Sequence, residues 1–117
     1  MPDLNIQTNV DRGVSVLSLS GPFRLAGASE FRKACSGLLD GGARRVVVDL
    51  SEVEELDGFG LSALVGLLAR LHRLGGRMAL AGVNPELKKR FEATWTEDVF
   101  RQHITVAQAA TEMQKNG

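Results

Sequence analysis

The sequence predicts a small mixed α/β domain, with an opening antiparallel hairpin, then parallel strands, packed with about four helices. Three observations predict it. Residues 4–10 alternate apolar and polar side chains, as a strand with one buried face does. Residues 28–39 and 58–74 instead space their apolar side chains for a helix face. Between them stands Val46-Val47-Val48, a continuous apolar run of the kind found where a strand is covered on both faces.

In chain order, Leu4, Ile6, Thr8 and Val10 alternate with Asn5, Gln7 and Asn9 in a half-buried strand. Asp11-Arg12-Gly13 is a turn, and Val14 to Leu19 returns as the second strand of a hairpin, ended by Gly21-Pro22. From Ala28 onward, Phe31, Ala34, Cys35, Leu38 and Leu39 share one helix face, and Asp40-Gly41-Gly42 stops that helix. Arg44 and Arg45 precede the buried strand Val46–Leu50. The helix from Gly58 to Leu74 is next, stopped by Gly75-Gly76, and then a strand at Met78–Val83.

Asn84-Pro85 starts a short helix holding Leu87, Arg90 and Phe91. Asn caps it, and proline suits a first turn that needs no N–H. A loop with Trp95 follows, and Ile104 ends a short last strand. Thr105-Val106-Ala107-Gln108 matches a capping box before a final helix, Val106–Met113. The repeated strand–helix–strand order requires right-handed parallel crossovers. All of residues 1–117 form one domain, without linker, repeat or low-complexity tract.

Composition narrows the partner classes. Fourteen basic and fourteen acidic residues cancel, so net charge gives no reason to expect nucleic acid or an anionic membrane. The single cysteine, Cys35, cannot form an internal disulfide and reads as a small core residue in a reducing, cytoplasmic setting. Met1-Pro2-Asp3-Leu4 lacks the basic start and apolar run of a secretion signal. The longest apolar run is broken by Arg70, His72 and Arg73, too short and too charged to span a bilayer.

The helix after Asp57 has two faces. At about 100° per residue, Leu61, Leu64, Val65, Leu68 and Leu71 share one arc, widened by Leu67 and Leu74. Burial of each should contribute roughly 1.5–3 kcal/mol. Phe59, Ser62, Gly66, Ala69 and Arg73 fall on the other side, a low surface with one aromatic knob at its start. Such a surface admits a partner's backbone, and the aromatic can anchor it; alternatively Phe59 folds back over the sheet edge. Asp57 is placed to cap the helix, and orienting a phosphoacceptor or a partner's group would be an additional role.

Catalysis needs a nucleophile, a base and an orienting group, and no such constellation stands in the sequence. His72 and His103 are isolated, and one cysteine with two scattered histidines does not make a zinc site. Gly58-Phe59-Gly60 lacks the third glycine of a dinucleotide fingerprint and the Lys-Ser/Thr of a phosphate loop. No enzyme activity, cofactor or metal is therefore expected. The acidic run Glu52, Glu54, Glu55, Asp57 and the basic Lys88, Lys89, Arg90 are either steering charges or solvated faces.

These elements and motifs, in this order, resemble STAS domains, the fold shared by bacterial anti-sigma factor antagonists and the cytosolic domains of sulfate transporters. Gly21-Pro22-Phe23 and Ala28-Ser29-Glu30-Phe31 look like the family's strand end and first helix, and Val46 to Ser51 like its central strand. Leu56-Asp57-Gly58-Phe59-Gly60-Leu61 resembles its Asp-Ser-Ser-Gly-Leu turn. Gly75-Gly76 and Asn84-Pro85, with its spacing to Phe91, complete the match. The resemblance implies an anti-sigma factor antagonist-like protein that works by protein–protein binding, as a partner switch or scaffold.

It further implies Asp57, Gly58, Phe59, Gly60, Ser62 and Gly66 as the contact surface, and an anti-sigma factor or serine kinase as the partner. In antagonists of the family a serine of the turn is phosphorylated, adding about −1.5 to −2 charges at the contact. Here Gly58 and Phe59 stand at the two serine positions, so the acceptor position carries a side chain that takes no phosphate. Ser62, one turn on, is a displaced substitute, poorly presented inside a helix. Arg24 stands where the family often has Asp or Asn. The alternative within the same fold is a stand-alone subunit binding the ATPase of a lipid-transport ABC system. A homodimer is compatible with either.

Overall fold

The computed structural model describes residues 3–94, 96 and 98–115. Trp95 lies outside the described residues. The element order is β1 (Asn5–Asp11), β2 (Val14–Phe23), α1 (Leu25–Asp40), β3 (Arg45–Leu56), α2 (Gly58–Arg73), β4 (Arg77–Ala81), α3 (Pro85–Ala93), β5 (Arg101–His103) and α4 (Val106–Lys115). The five strands form one sheet in chain order, β1 antiparallel to β2 and each later pair parallel.

The hairpin turn is two residues long. Arg12 and Gly13 both take positive φ, 51° and 82°, and Asp11 pairs with Val14. Such a turn matches the twist of the strands it joins. β3 is buried on both faces in its first half, as its continuous apolar run requires. Val46, Val48 and Leu50 join the larger core with Phe31, Leu64 and Phe91. Val47 faces the other way, onto Val16, Ala79, Ala109 and Ala110. Thus α1, α2 and α3 cover one face, and α4 covers the other through small side chains that let it lie close.

Several boundaries differ from the sequence expectation. β2 does not end at Gly21-Pro22 but runs on to Phe23. Gly21 takes φ 95°, and the ladder with β3 slips at Ser18/Ser20 and again at Gly21/Pro22. These are bulges, which admit glycine and proline without ending the strand. β3 correspondingly extends through the acidic run to Leu56, with Val53 and Leu56 buried and Glu52, Glu54 and Glu55 exposed.

α1 begins at Leu25 rather than Ala28, because the Arg24 carbonyl accepts from the Ala28 N–H at 2.7 Å with no side-chain cap to mark the start. β1 is less covered than its alternation suggests. Leu4 is buried and Ile6 partly so, while Thr8 and Val10 are exposed, because β1 is the sheet edge. β4 closes at Ala81, short of Val83, and Ile104 lies just past β5, exposed.

Candidate functional site

β2 and β3 end side by side, with Phe23 opposite Leu56, and each strand feeds directly into a helix. The candidate site is the turn that carries β3 into α2. The Asp57 N–H donates to the Phe23 carbonyl at 3.2 Å, tying the turn to the neighbouring strand. Asp57 Oδ1 accepts from the Phe59 N–H at 2.9 Å and from the Gly60 N–H at 3.0 Å. Two of the otherwise unpaired donors at the helix start are thereby satisfied by one carboxylate, which also faces the positive end of the helix dipole. Asp57 is the cap that its position suggested.

This clamp leaves Phe59 pointing out, 52% exposed, rather than folded over the sheet edge. Ser62, Gly66 and Ala69 continue the exposed face along α2, and a Cβ added at Gly58 or Gly66 would have nothing within 4 Å of it. Gly60 does not belong to that surface. It is buried, and a Cβ there would meet the Phe23 carbonyl oxygen and Leu56. Its role is close packing of the helix start against β2.

The core face of α2 is also rotated from the expected arc. Leu61, Ala63, Leu64, Leu67 and Leu71 are buried, whereas Val65 and Leu74 are exposed. α1 packs beside α2 and draws Ala63 and Leu67 inward. At the α1–α2 seam Arg70 Nη1 donates to Ser36 Oγ at 3.1 Å. Val65 therefore joins the outer surface and adds apolar area one turn beyond Ser62 and one turn before Ala69, a contribution the heptad-like spacing of leucines concealed.

Charge is distributed unevenly around the turn. Arg24 forms an ion pair with Glu55, one bond being Nη2 to Oε2 at 3.2 Å. Glu54, Glu55, Asp57 and Glu86 line a shallow crevice between the end of β3 and α3, faced by Arg90. Lys89 pairs with Glu86 at 3.9 Å, and both side chains are well exposed.

The chemically versatile side chains lie elsewhere. Cys35 is buried, and desolvation pushes its thiol up to about 12 despite the opposing charge of Arg70. It is an unreactive core residue. His72 is exposed in the last turn of α2. It shares a cavity of about 190 Å³ with His103, Arg77, Arg101, Glu112 and Met113. The histidines are distant in sequence, so no local motif could have shown this juxtaposition. The cavity is smaller than the ~300–1,000 Å³ usual for ligand sites. Among the described residues no three His, Cys, Asp or Glu side chains are placed to hold a metal ion, and no helix is long and apolar enough to cross a membrane.

The family description "STAS domain" matches residues 5–109. The anti-sigma-B factor antagonist of Staphylococcus aureus is 25% identical over 98 residues, 84% of this chain and 91% of that protein. A solved anti-sigma factor antagonist from Mycobacterium paratuberculosis superposes with a TM-score of 0.85 at 24% identity, covering 95% of this chain and 94% of that one. The Bacillus cell fate determinant SpoIIAA in its phosphorylated form gives a TM-score of 0.73 at 20% identity, over 92% and 98% of the two chains.

Proposed function

The chain belongs to the STAS domain family, and we propose that it acts as an anti-sigma factor antagonist-like module, by binding a protein partner rather than by catalysis. The observation that carries this reading is Phe59. It is an exposed aromatic on a turn fixed by three hydrogen bonds, at the head of a smooth helix face. Rigid, exposed aromatics make effective anchors because little conformational entropy is lost when they are buried. The contact surface comprises Asp57, Gly58, Phe59, Ser62 and Gly66, with Val65 added and Gly60 removed to the packing beneath.

The partner is an anti-sigma factor or serine kinase, met in the cytoplasm. The relatives named as antagonists favour this partner over the ATPase of a lipid-transport system. Because Phe59 stands at the family's acceptor position, binding is not broken by phosphorylation there. The protein is locked in one binding state or serves as a scaffold. Ser62 is exposed, but its helical backbone presents the hydroxyl poorly.

The decisive experiment is affinity capture from native extract with wild type and Phe59→Ala side by side. A kinase-type anti-sigma factor retained by wild type and lost by the variant is the expected result. Retention of an ATPase with Walker motifs would move the protein to the transporter reading. Incubation of the captured kinase with ATP should leave the mass of this protein unchanged, and a phosphopeptide at Ser62 would overturn the locked-state account.

A further inference from the structure

We propose that β1 is a self-pairing edge, through which two copies of this chain join antiparallel across a two-fold axis at Thr8. The two edges of the sheet are built differently. β5 is three residues long and carries Arg101 and His103. A short, charged edge resists further pairing. β1 runs for seven residues, pairs one-to-one with β2 without a bulge, and is uncharged from Asn5 to Val10. It lacks the lysine, proline or bulge with which exposed edges are usually blunted.

The strand is also held ready. At one end Leu4 is buried beside Gly27 of α1. At the other, Gln114 Nε2 of α4 donates to the Arg12 carbonyl at 2.6 Å, and Arg12 Nη2 donates to Thr111 Oγ1 at 3.4 Å. An edge pinned at both ends loses little freedom on pairing.

The sequence fits its own reverse. With the axis at Thr8, Ile6 lies opposite Val10, Gln7 opposite Asn9 and Asn5 opposite Asp11. Apolar side chains meet on one face and amides on the other, and no like charges face each other. Val10, 70% exposed in the single chain, is covered by the partner's Ile6. Each chain has one such edge, so the assembly closes at two copies, with the two five-stranded sheets made continuous. A strand from an unrelated protein would have no reason to match this self-complementary order. The face headed by Phe59 lies on α2, away from this edge, so a dimer presents it twice.

Sedimentation equilibrium of the full chain should show a monomer–dimer equilibrium. Thr8→Lys sets two ammonium groups against each other on the axis and should weaken association tenfold or more, with an unchanged melting temperature at dilutions where wild type is itself monomeric. If that variant melts early, Val10→Lys gives the same reading from a residue already in solvent. Thr8→Cys should form a covalent dimer under mild oxidation much faster than Glu92→Cys, an exposed control on α3. A monomer at every concentration up to about 1 mM, association indifferent to both lysines, or equal cross-linking of the two cysteine variants would each overturn the proposal.

Discussion

Gly60 sits so close to Phe23 that a Cβ on it would lie 2.4 Å from the Phe23 carbonyl oxygen. The neighbour is backbone in the adjoining strand, so it cannot turn aside as a side chain would. Gly60→Ala should therefore destabilise the domain by about 1–3 kcal/mol, the range for overpacking a tight interior. Gly58, two residues earlier, has open space and a helical backbone. Gly58→Ala should raise stability by about 0.4–1 kcal/mol through the unfolded chain. Urea unfolding of the pair checks both signs.

Asp57 accounts for the geometry of the turn with one oxygen. Asp57→Ala removes the acceptor of two N–H groups and should cost about 0.5–2 kcal/mol. Asp57→Asn keeps a side-chain oxygen and should recover most of that loss. If alanine and asparagine were equally damaging in thermal melts, the charge rather than the cap would be the stabilising feature.

The fold was legible where one physical cause dominated. Continuous valines marked β3, and Asn84-Pro85 marked α3, whose cap is seen as Leu87 N–H to Asn84 Oδ1 at 2.9 Å. Thr105 likewise accepts from the Gln108 N–H at 3.2 Å, at the start of α4. Legibility failed where tertiary context overrode local chemistry. Gly21-Pro22 reads as a stop, yet bulges carry the strand through it. Arg24 caps nothing with its side chain, so the true start of α1 had no sequence signal. Of the candidate site, capping Asp57 was readable, whereas the sequence left Phe59 either exposed or folded back over the sheet edge, and only the clamped turn turns it outward. The inward turn of Gly60 was not readable, because it depends on Phe23, which belongs to another strand.

Cys35 gives the fold a defined alkaline weakness. Its thiol is raised from 9.0 to about 12 in the folded chain, chiefly by burial. Below pH 9 the thiol is protonated in both states and the shift has no effect. Between pH 9 and about 12 the unfolded chain ionises while the folded one does not, so stability falls as pH rises. Cys35→Ala should lower stability at neutral pH through the lost packing, yet show a shallower decline across that window. Thiol reagents at pH 8 should label wild type only after unfolding.

Phe59 separates binding from folding. Half of its side chain is in solvent, so truncation to alanine should change the melting temperature little. Loss of an anchor should nonetheless weaken partner binding by ~1–3 kcal/mol, read as a roughly 5- to 150-fold rise in Kd. Val65→Ala, farther along the exposed side of α2, should produce a smaller loss of the same kind. Phe59→Ser supplies a hydroxyl at the head of the same rigid turn. If the cognate kinase phosphorylates that variant and the complex then dissociates, the phenylalanine alone separates a constitutive binder from a switch. If binding by Phe59→Ala is unchanged while stability drops, the aromatic serves the fold and the partner surface lies elsewhere.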